Sequence, residues 1–463
     1  MKKVLSYIFG AFMIFLLGVL LAFIFRLPIV ENFSREEGGR IVLFTSFVLL
    51  MMLRVPIAFC LSIPAFLTAI YLNLPTMVIF QRMGAGINAF SLIAIPFFIL
   101  AGQVMAEGGI AQKIVEFSNI LIGRVRGGLA MVNILASMFF GGVSGSSVAD
   151  TSSIGAFLIP MMVDQGYDRD FSIAVTITSS TLGIIIPPSH NMIIYSLAAG
   201  GVSVGALFMA GYIPGIMVGV AQMVVAYIIS RRRKYPVSGK VGFKEALIIT
   251  RDSILGLLVG VIIIAGIIFG VFTATEASVV AAVYAMIITV FVYKTLKFKK
   301  LLRTFQNTAI VIAMVLFIIA SSSAFGYLLA YLKVPALVAS TLMSISTNKY
   351  VLLLLINLML LFLGMIMDMA PLILITTPIL LPLVRSLGVS PIQFGIIMMI
   401  NLGIGLCTPP VGTTLFVGCA IGKSTMEKVA KASMPLYISM ILILLLVTYV
   451  PWFTMFLGGR FVR

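Results

Sequence analysis

The sequence has few residues that could carry redox, metal or disulfide chemistry. Its 463 residues include three cysteines, one histidine and one tryptophan. The cysteines (Cys60, Cys407 and Cys419) lie in apolar segments without CxxC spacing, so we interpret them as small buried hydrophobic residues. The sequence also lacks a nucleotide-binding P-loop pattern. We therefore predict no organic cofactor and no metal other than a transported or coupling ion.

Charged residues are scarce as well. They make up 10% of the chain, whereas hydrophobic residues make up 61%. A soluble protein of this length could not bury so much apolar surface, so lipid must surround most of the chain. The 31 basic residues outnumber the 14 acidic ones, for a net charge of +17. We assign this excess to cytoplasmic loops under the positive-inside rule, and we predict no binding to nucleic acid.

Two proline pairs interrupt apolar stretches in which an ordinary transmembrane helix would continue. They are Pro187-Pro188 and Pro409-Pro410, and their offset, 409 minus 187, is 222 residues. The same offset relates Gly142 to Gly364. Two halves of one membrane protein therefore carry the same broken helix. Repeats with discontinuous helices near the bilayer midplane are typical of secondary transporters.

Each half also contains a predicted re-entrant hairpin, in which two short helices enter and leave the membrane on one side. The hairpins are 127–163 and 349–384, with polar tips at 141–153 and 364–371. About fifteen apolar residues per arm, at about 1.5 Å each, cross only part of a ~30 Å hydrocarbon core. Such tips are tolerated at membrane depth where protein or a water-filled cavity surrounds them.

The full pattern predicts an all-α integral membrane fold with about eleven transmembrane crossings and two hairpins. After an extra N-terminal helix at 1–26, each half makes about five crossings, an odd number, so the halves must be inverted repeats. Loop charges agree, because 421–431 carries three lysines and the matching stretch 199–210 carries no charge. This assignment places the N-terminus in the cytoplasm and the C-terminus in the periplasm.

The hairpin tips contain acidic residues that are candidates for function. Asp150 and Asp368 lie at membrane depth, where a carboxylate is costly unless it is paired, solvated or bound to an ion. Asp150 has a second interpretation, as a helix cap. Glu276, at a predicted turn, we interpret as a solvent-facing or capping carboxylate.

Hydroxyl groups and unwound backbone at the same tips and breaks supply oxygen atoms. They cluster at 144–147, at Thr408 and at 412–414. Such oxygens suit a hard monovalent cation, and the N-termini of half-helices suit an anion. One site could therefore bind both a sodium ion and an acidic solute, although scattered hydroxyls also serve helix packing.

An intramembrane serine protease is an alternative. Gly142-Val-Ser-Gly145 matches the short G-x-S-G pattern, with Ser144 as nucleophile and His190 as base. A protease leaves the second hairpin and the second proline pair unexplained. A purely structural scaffold would not need acidic hairpin tips, and another cation-coupled carrier is a further alternative.

Five motifs resemble one family of transporters. They are IAIPFFILAGQVM (93–105), GGVSGSSVADTSSIG (141–155), IIPPS (185–189), FTATEASVVAA (272–282) and TPPVG (408–412). From about residue 41 to its end, the chain resembles the large membrane subunit, of the DctM type, of tripartite ATP-independent periplasmic (TRAP) transporters. Residues 1–40 resemble the connecting helix found where small and large subunits are fused.

The resemblance implies a sodium-driven importer of the bacterial inner membrane with an elevator mechanism. A transport domain would slide against a scaffold embedded in membrane lipid. The implied partners are a periplasmic solute-binding protein and a small membrane subunit, separate or fused. The implied substrate is a small organic acid, such as sialic acid, a sugar acid or a C4-dicarboxylate, and we favour sialic acid.

The resemblance also implies roles for particular residues. One sodium ion would lie between the first hairpin and the first break, and another between the second hairpin and the second break. The predicted sodium-binding residues are Ser144, Ser146, Asp150, Gly183, Gly364, Gly403, Thr408, Gly412 and Thr413. The predicted substrate-binding residues are Ser147, Ser189, His190, Asn191 and Asp368.

The predicted domains follow the two repeats. They are 1–40 (extra helix and loop), 41–126 (scaffold helices and arm of the first repeat), 127–202 (transport domain with the first hairpin and broken helix), 203–348 (scaffold helices, linker and second arm), 349–421 (transport domain with the second hairpin and broken helix) and 422–463 (closing scaffold helix).

Overall fold

The computed structural model describes residues 13–23, 33–237 and 242–461, and all regular structure in these ranges is helical. The predicted all-α class is confirmed. The prediction of a helix at 1–26 lies mostly outside the described residues, since the structure describes only 13–23 of it. The helices of the first half are α1 (Met13–Phe23), α2 (Arg35–Met52), α3 (Ile57–Tyr71), α4 (Thr76–Ile87), α5 (Ala94–Glu107), α6 (Ile110–Ile122), α7 (Gly128–Ser144), α8 (Ser147–Ser153), α9 (Gly155–Asp164), α10 (Arg169–Ser179), α11 (Leu182–Ile185), α12 (His190–Ala198) and α13 (Val204–Arg232).

The second half repeats the same order of long helices, hairpin and broken helix. A π-helical turn at Ile288–Val292 extends one of its long helices. The helices of the second half are α14 (Phe243–Ile268), α15 (Ala274–Ile287), α16 (Phe298–Tyr331), α17 (Val334–Ile345), α18 (Lys349–Gly364), α19 (Met369–Ser386), α20 (Pro391–Leu406), α21 (Thr413–Gly422), α22 (Met426–Tyr449) and α23 (Trp452–Gly458).

The number of crossings depends on how the broken helices are counted. Among the described residues, seven helices are long and apolar enough to cross a membrane, or eight if α10–α11 and α12, bent by 51°, form one span. Several other apolar helices are 10–17 residues long. Hairpin arms and broken helices are short by nature, because each covers only part of the bilayer. The prediction of about eleven crossings thus stays a prediction.

The breaks follow from the chemistry of proline. Ile186, just before Pro187, has the extended conformation (φ −83°, ψ 123°) that a residue preceding proline prefers, so α11 ends there. Proline has no backbone N–H and cannot continue an α-helix. The second pair lies between α20 and α21, and both Pro-Pro peptide bonds are cis.

The first hairpin is shaped by glycine and serine. Gly127 before α7 and Gly145 after it have positive φ values of 75° and 63°, which non-glycine residues rarely adopt. Ser146 then caps α8, with its hydroxyl accepting a hydrogen bond from the N–H of Ala149 at 3.4 Å. The chain therefore reverses within two residues and starts its return arm directly.

The chain divides into two compact units, and the division passes through α16 and α19. Unit 1 is Met1–Phe90, Ala313–Ser346 and Leu374–Leu383. It has an apolar core that includes the fully buried Leu61 and Leu328. Unit 2 is Ser91–Ile312, Thr347–Ile373 and Val384–Arg463. It contains the two hairpin tips and both proline breaks, so the candidate site is described within unit 2.

Candidate ion and substrate site at the hairpin tips

The first hairpin tip contains a buried carboxylate of which only one oxygen is hydrogen-bonded among the described residues. Asp150 lies in the first turn of α8 and is fully buried. The Ser144 hydroxyl donates a hydrogen bond to its Oδ1, while Oδ2 has no hydrogen-bond partner among the described residues. The cap of α8 is Ser146, so the capping interpretation of Asp150 is wrong. A buried, half-satisfied carboxylate at this depth is available to a cation.

The backbone of the first break lies directly against this carboxylate. A Cβ atom added to Gly183 would lie 2.3 Å from Asp150 Oδ2 and 3.1 Å from the Cα of Gly141. Only glycine at position 183 allows this approach, because a side chain would overlap the carboxylate. The structure thus brings together the predicted residues Ser144, Asp150 and Gly183.

A chain of buried hydroxyl groups joins the two halves. Thr151 donates to the hydroxyl of Ser180 at 2.8 Å, and the hydroxyls of Ser180 and Ser147 are 2.9 Å apart. The Ser147 hydroxyl also forms a hydrogen bond with that of Thr414, with 3.0 Å between the two oxygens. All four side chains are buried. The predicted residue Ser147 therefore lies where the first hairpin meets both broken helices.

The second tip is joined to the second break by backbone. The carbonyl of Met365, after α18, accepts hydrogen bonds from the N–H groups of Val411 (3.1 Å) and Gly412 (3.5 Å). A Cβ atom on Gly405 would lie 2.6 Å from the carbonyl carbon of Gly364. Gly364 and Gly412 are both predicted sodium-binding residues, and the backbone of the second tip thus brings them close to each other.

Gly405 repeats in the second half the close approach that Gly183 makes in the first. The two glycines are 222 residues apart, 405 minus 183. At the predicted residue Gly403, a Cβ atom would meet nothing closer than the Cβ of Thr181, at 3.6 Å, which is ordinary contact. Sequence reasoning missed Gly405, although the repeat offset counted from Gly183 points to it.

Asp368 differs from Asp150 in its surroundings. Its side chain is accessible, whereas that of Asp150 is fully buried. Its carboxylate lies close to the Thr413 hydroxyl without forming a hydrogen bond of good geometry. The Thr408 hydroxyl, in the second break, donates to the carbonyl of Ile404 in the last turn of α20 at 2.5 Å. An accessible carboxylate at the second tip is suited to contact with a solute.

The polar residues after the first break face the first tip. A Cβ atom on Gly145 would lie 3.1 Å from both the backbone nitrogen and Nδ1 of His190. Ser189 Oγ and His190 Nδ1 are buried and have no hydrogen-bond partner in the part of the chain that the structure describes. Asn191 is also buried. These predicted substrate residues thus offer unused polar atoms beside the hairpin.

The protease alternative is not supported by this geometry. A serine nucleophile needs a hydrogen bond to its base. Ser144 donates its hydrogen bond to Asp150, and His190 Nδ1 makes none with any described residue.

Glu276 has the capping role, which is one of the two roles that the sequence predicted for it. It forms a capping box with Thr273 at the start of α15.

Sequence reasoning missed several residues of this site. Ser180 and Thr181 directly follow α10, where no local pattern singles them out. Thr151 lies within the predicted tip but was not among the predicted ligands. Thr414 belongs to a hydroxyl cluster visible in the sequence, but its contact with Ser147 spans 267 residues. Contacts between residues so far apart in the sequence can be recognised only in the tertiary structure.

The fold is shared with solved membrane transporters. The YdaH transporter of Alcanivorax borkumensis superimposes with a TM-score of 0.61 at 13% identity, covering 81% of this chain and 88% of that one. At this identity the likeness establishes the fold alone. Together with the paired hairpins and breaks, it defines the class as a multi-pass α-helical membrane protein.

Sequence comparisons then identify the family. A family profile described as "Tripartite ATP-independent periplasmic transporter, DctM component" matches residues 44–453. The chain therefore belongs to the DctM family of TRAP transporter large permease subunits, as its motifs predicted.

Named relatives match most of the chain. YgiK of Salmonella typhimurium is 43% identical, over 91% of this chain and 97% of its own length. The C4-dicarboxylate TRAP transporter large permease protein DctM of Pseudomonas aeruginosa is 40% identical (78% and 84%). The sialic acid TRAP transporter large permease protein SiaM of Vibrio cholerae is 38% identical (82% and 89%). The last two are named as permeases, not as enzymes, in agreement with the prediction that this chain is not an enzyme.

Proposed function

We propose that this chain is the permease subunit of a sodium-driven importer of a small organic acid in the bacterial inner membrane. The observation that carries the sodium assignment is the Asp150 carboxylate, which is fully buried with Oδ2 unpartnered among the described residues. An uncompensated charge at this depth is costly, and a bound cation would remove the cost. Sodium takes oxygen ligands, which the tip and the break supply.

An organic acid as substrate is supported by the relatives and by the helix ends. The two named permeases carry C4-dicarboxylate and sialic acid in their names, and both solutes are carboxylic acids. The N-termini of α12 and α21 meet the two breaks, where their amide groups and positive dipole ends favour an anion. Ser147, Ser189, His190 and Asn191 are the proposed contacts of that anion.

The accessible Asp368 favours a hydroxylated acid. A carboxylate repels a second carboxylate but accepts hydrogen bonds from hydroxyl groups. A sugar acid or sialic acid offers such hydroxyls, whereas a plain dicarboxylate offers a second negative charge. We therefore propose a polyhydroxylated acid, with sialic acid as the first candidate.

The transport cycle that we propose is of the elevator type. The two hairpins and two broken helices would move together against the remaining helices, with the N-terminus in the cytoplasm and the C-terminus in the periplasm. A periplasmic solute-binding protein would deliver the acid, and a small membrane subunit, fused or separate, would complete the complex. The family description, a component of a tripartite system, supports these partners.

Uptake into proteoliposomes that contain the partner subunits and the binding protein tests the proposal. We expect uptake of labelled sialic acid, sugar acid or C4-dicarboxylate to require an inward sodium gradient. Asp368→Asn and Ser147→Ala should each lower that uptake. Full-rate uptake without a sodium gradient would contradict the coupling.

Ser144→Ala separates the carrier from the protease. A carrier that loses this hydroxyl should keep transport but need more sodium, because Asp150 loses its partner. A protease should lose all activity. The control is Ser152→Ala, which removes an exposed hydroxyl bonded to its own helix at Val148.

A further inference from the structure

A cavity lies between the second break and α22. Its volume is about 470 Å³, within the range of about 300–1,000 Å³ that is typical of small-molecule sites. Its lining is mostly apolar, and it is open on one side. The lining residues are Thr408, Pro409, Pro410, Met426, Glu427, Ala430, Lys431, Met434 and Tyr437.

The two hydroxyl groups in the cavity wall already use their hydrogens. The Tyr437 hydroxyl donates to the carbonyl of Cys407, and the Thr408 hydroxyl donates to that of Ile404. The two prolines have no backbone N–H. A carboxylate or hydrated ion that moved past Lys431 into the apolar part of the cavity would lose its water without gaining a donor from either hydroxyl group, which is costly. The wall therefore suits an apolar ligand rather than the transported acid.

The mouth of the cavity is basic. Lys431 and Glu427 form an exposed ion pair at 3.2 Å, and such a pair is worth little in water, so Lys431 can change partner. With Lys423 and Lys428, the segment 423–431 carries three positive charges and one negative charge. Basic segments at the membrane surface attract anionic headgroups, by about 1 kcal/mol per lysine.

We propose that this cavity binds one acyl chain of an anionic phospholipid, whose headgroup lies at Lys431. The apolar wall takes the chain, and the basic mouth selects the charge of the head. The ligand contacts both α22 and the prolines of the second break. A lipid here would thus contact the same unwound segment whose Val411 and Gly412 amides bind the Met365 carbonyl. The inference is independent of the proposed sodium coupling and substrate.

Native mass spectrometry tests the assignment. The delipidated full chain is titrated with phosphatidylglycerol or with phosphatidylcholine of the same acyl chains. We expect phosphatidylglycerol to bind more tightly. Ala430→Trp, which fills the cavity, should weaken it by about tenfold or more, since each displaced methylene contributes about 0.8 kcal/mol. Ala432→Trp is the matched control, because Ala432 lies on the same helix outside the lining.

Charge variants test the headgroup. Lys431→Gln should weaken phosphatidylglycerol binding by about fivefold, and Glu427→Gln should not weaken it. Lys428→Gln, three residues away and outside the lining, is the control and should have the smaller effect. If Ala430→Trp does not elute as a monodisperse species, Met434→Gln, which makes the wall polar, should give the same loss.

Three outcomes would overturn the proposal. Equal binding of the two lipids would remove the role of Lys431. Unchanged binding of phosphatidylglycerol to Ala430→Trp and to Met434→Gln would show that the lipid binds elsewhere. Displacement of the lipid by a sugar acid or dicarboxylate would instead assign the cavity to the exit path of the solute.

Discussion

The two tip aspartates both lie at hairpin tips, although 218 rather than 222 residues apart, and their environments differ. Asp150 is sealed between the hairpin and the glycine of the break, with one oxygen bonded to Ser144. Asp368 is accessible and lies near Thr413. A sealed carboxylate suits a dehydrated cation, whereas an accessible one suits a solute. The duplicated chain thus offers two acidic residues for two tasks.

Replacing the sealed carboxylate should change the sodium dependence of transport. Asp150→Asn keeps the size of the side chain but removes its charge. We expect the sodium concentration for half-maximal uptake to rise by about tenfold or more, because a contact with a charged group is worth about 1.5–3 kcal/mol. The measurement is uptake at varied sodium in proteoliposomes with the partner subunits.

Asp164→Asn provides the control, since Asp164 is an exposed residue at the end of the same hairpin. Its sodium dependence should match that of the unmodified chain. An Asp150→Asn variant with unchanged sodium dependence would refute the proposed ion site, even if its maximal rate fell.

At the scale of elements, each hairpin meets its break through a pair of glycines. Gly141 approaches Gly183 in the first half, and Gly364 approaches Gly405 in the second. The sequence predicted both hairpins and both breaks, because Gly/Ser tips and proline pairs are local signals. It did not predict which glycines touch, because that depends on how α11 packs on α7 and α20 on α18.

Two glycines on α20 provide a test of this packing. Gly405→Ala places a Cβ atom 2.6 Å from the backbone of Gly364 and should destabilise the protein by about 1–3 kcal/mol, as overpacking does. Gly403→Ala, whose closest neighbour is 3.6 Å away, should be neutral or slightly stabilising, because alanine favours helix. Thermal unfolding of the purified variants, followed by fluorescence, measures both. Equal melting temperatures for the two variants would contradict the close contact.

At the scale of the whole molecule, inversion of the halves is the prediction with the widest consequences. It rests on an odd number of crossings per half and on the lysines after the second break. The structure repeats the order of elements in both halves, and inversion predicts that equivalent loops lie on opposite sides of the membrane.

Labelling of single cysteines measures that sidedness. Ser203 and Thr425 are both exposed, each precedes a long helix, and their offset is again 222 residues, 425 minus 203. In intact spheroplasts, a membrane-impermeant maleimide should label Ser203→Cys and leave Thr425→Cys unlabelled. Cys60, Cys407 and Cys419 are buried and should give little background. Labelling of both positions from the same side would exclude inverted halves.

The sequence by itself determined the membrane setting, the all-helical class, the two hairpins, the two breaks and the family. Each of these depends on local composition: apolar length, glycine and serine at tips, proline without an N–H, and ordered motifs. The family resemblance carried by those motifs also placed Ser144, Asp150 and Gly183 in one site.

Only the tertiary structure decided the hydroxyl chain from Thr151 to Thr414, the contact of Gly405 with Gly364, and the unequal exposure of the two aspartates. The physical reason is distance along the chain. A hydrogen bond between residues 267 apart, such as that of Ser147 with Thr414, leaves no periodic or local trace. It appears only when two separately encoded broken helices pack against the same hairpin.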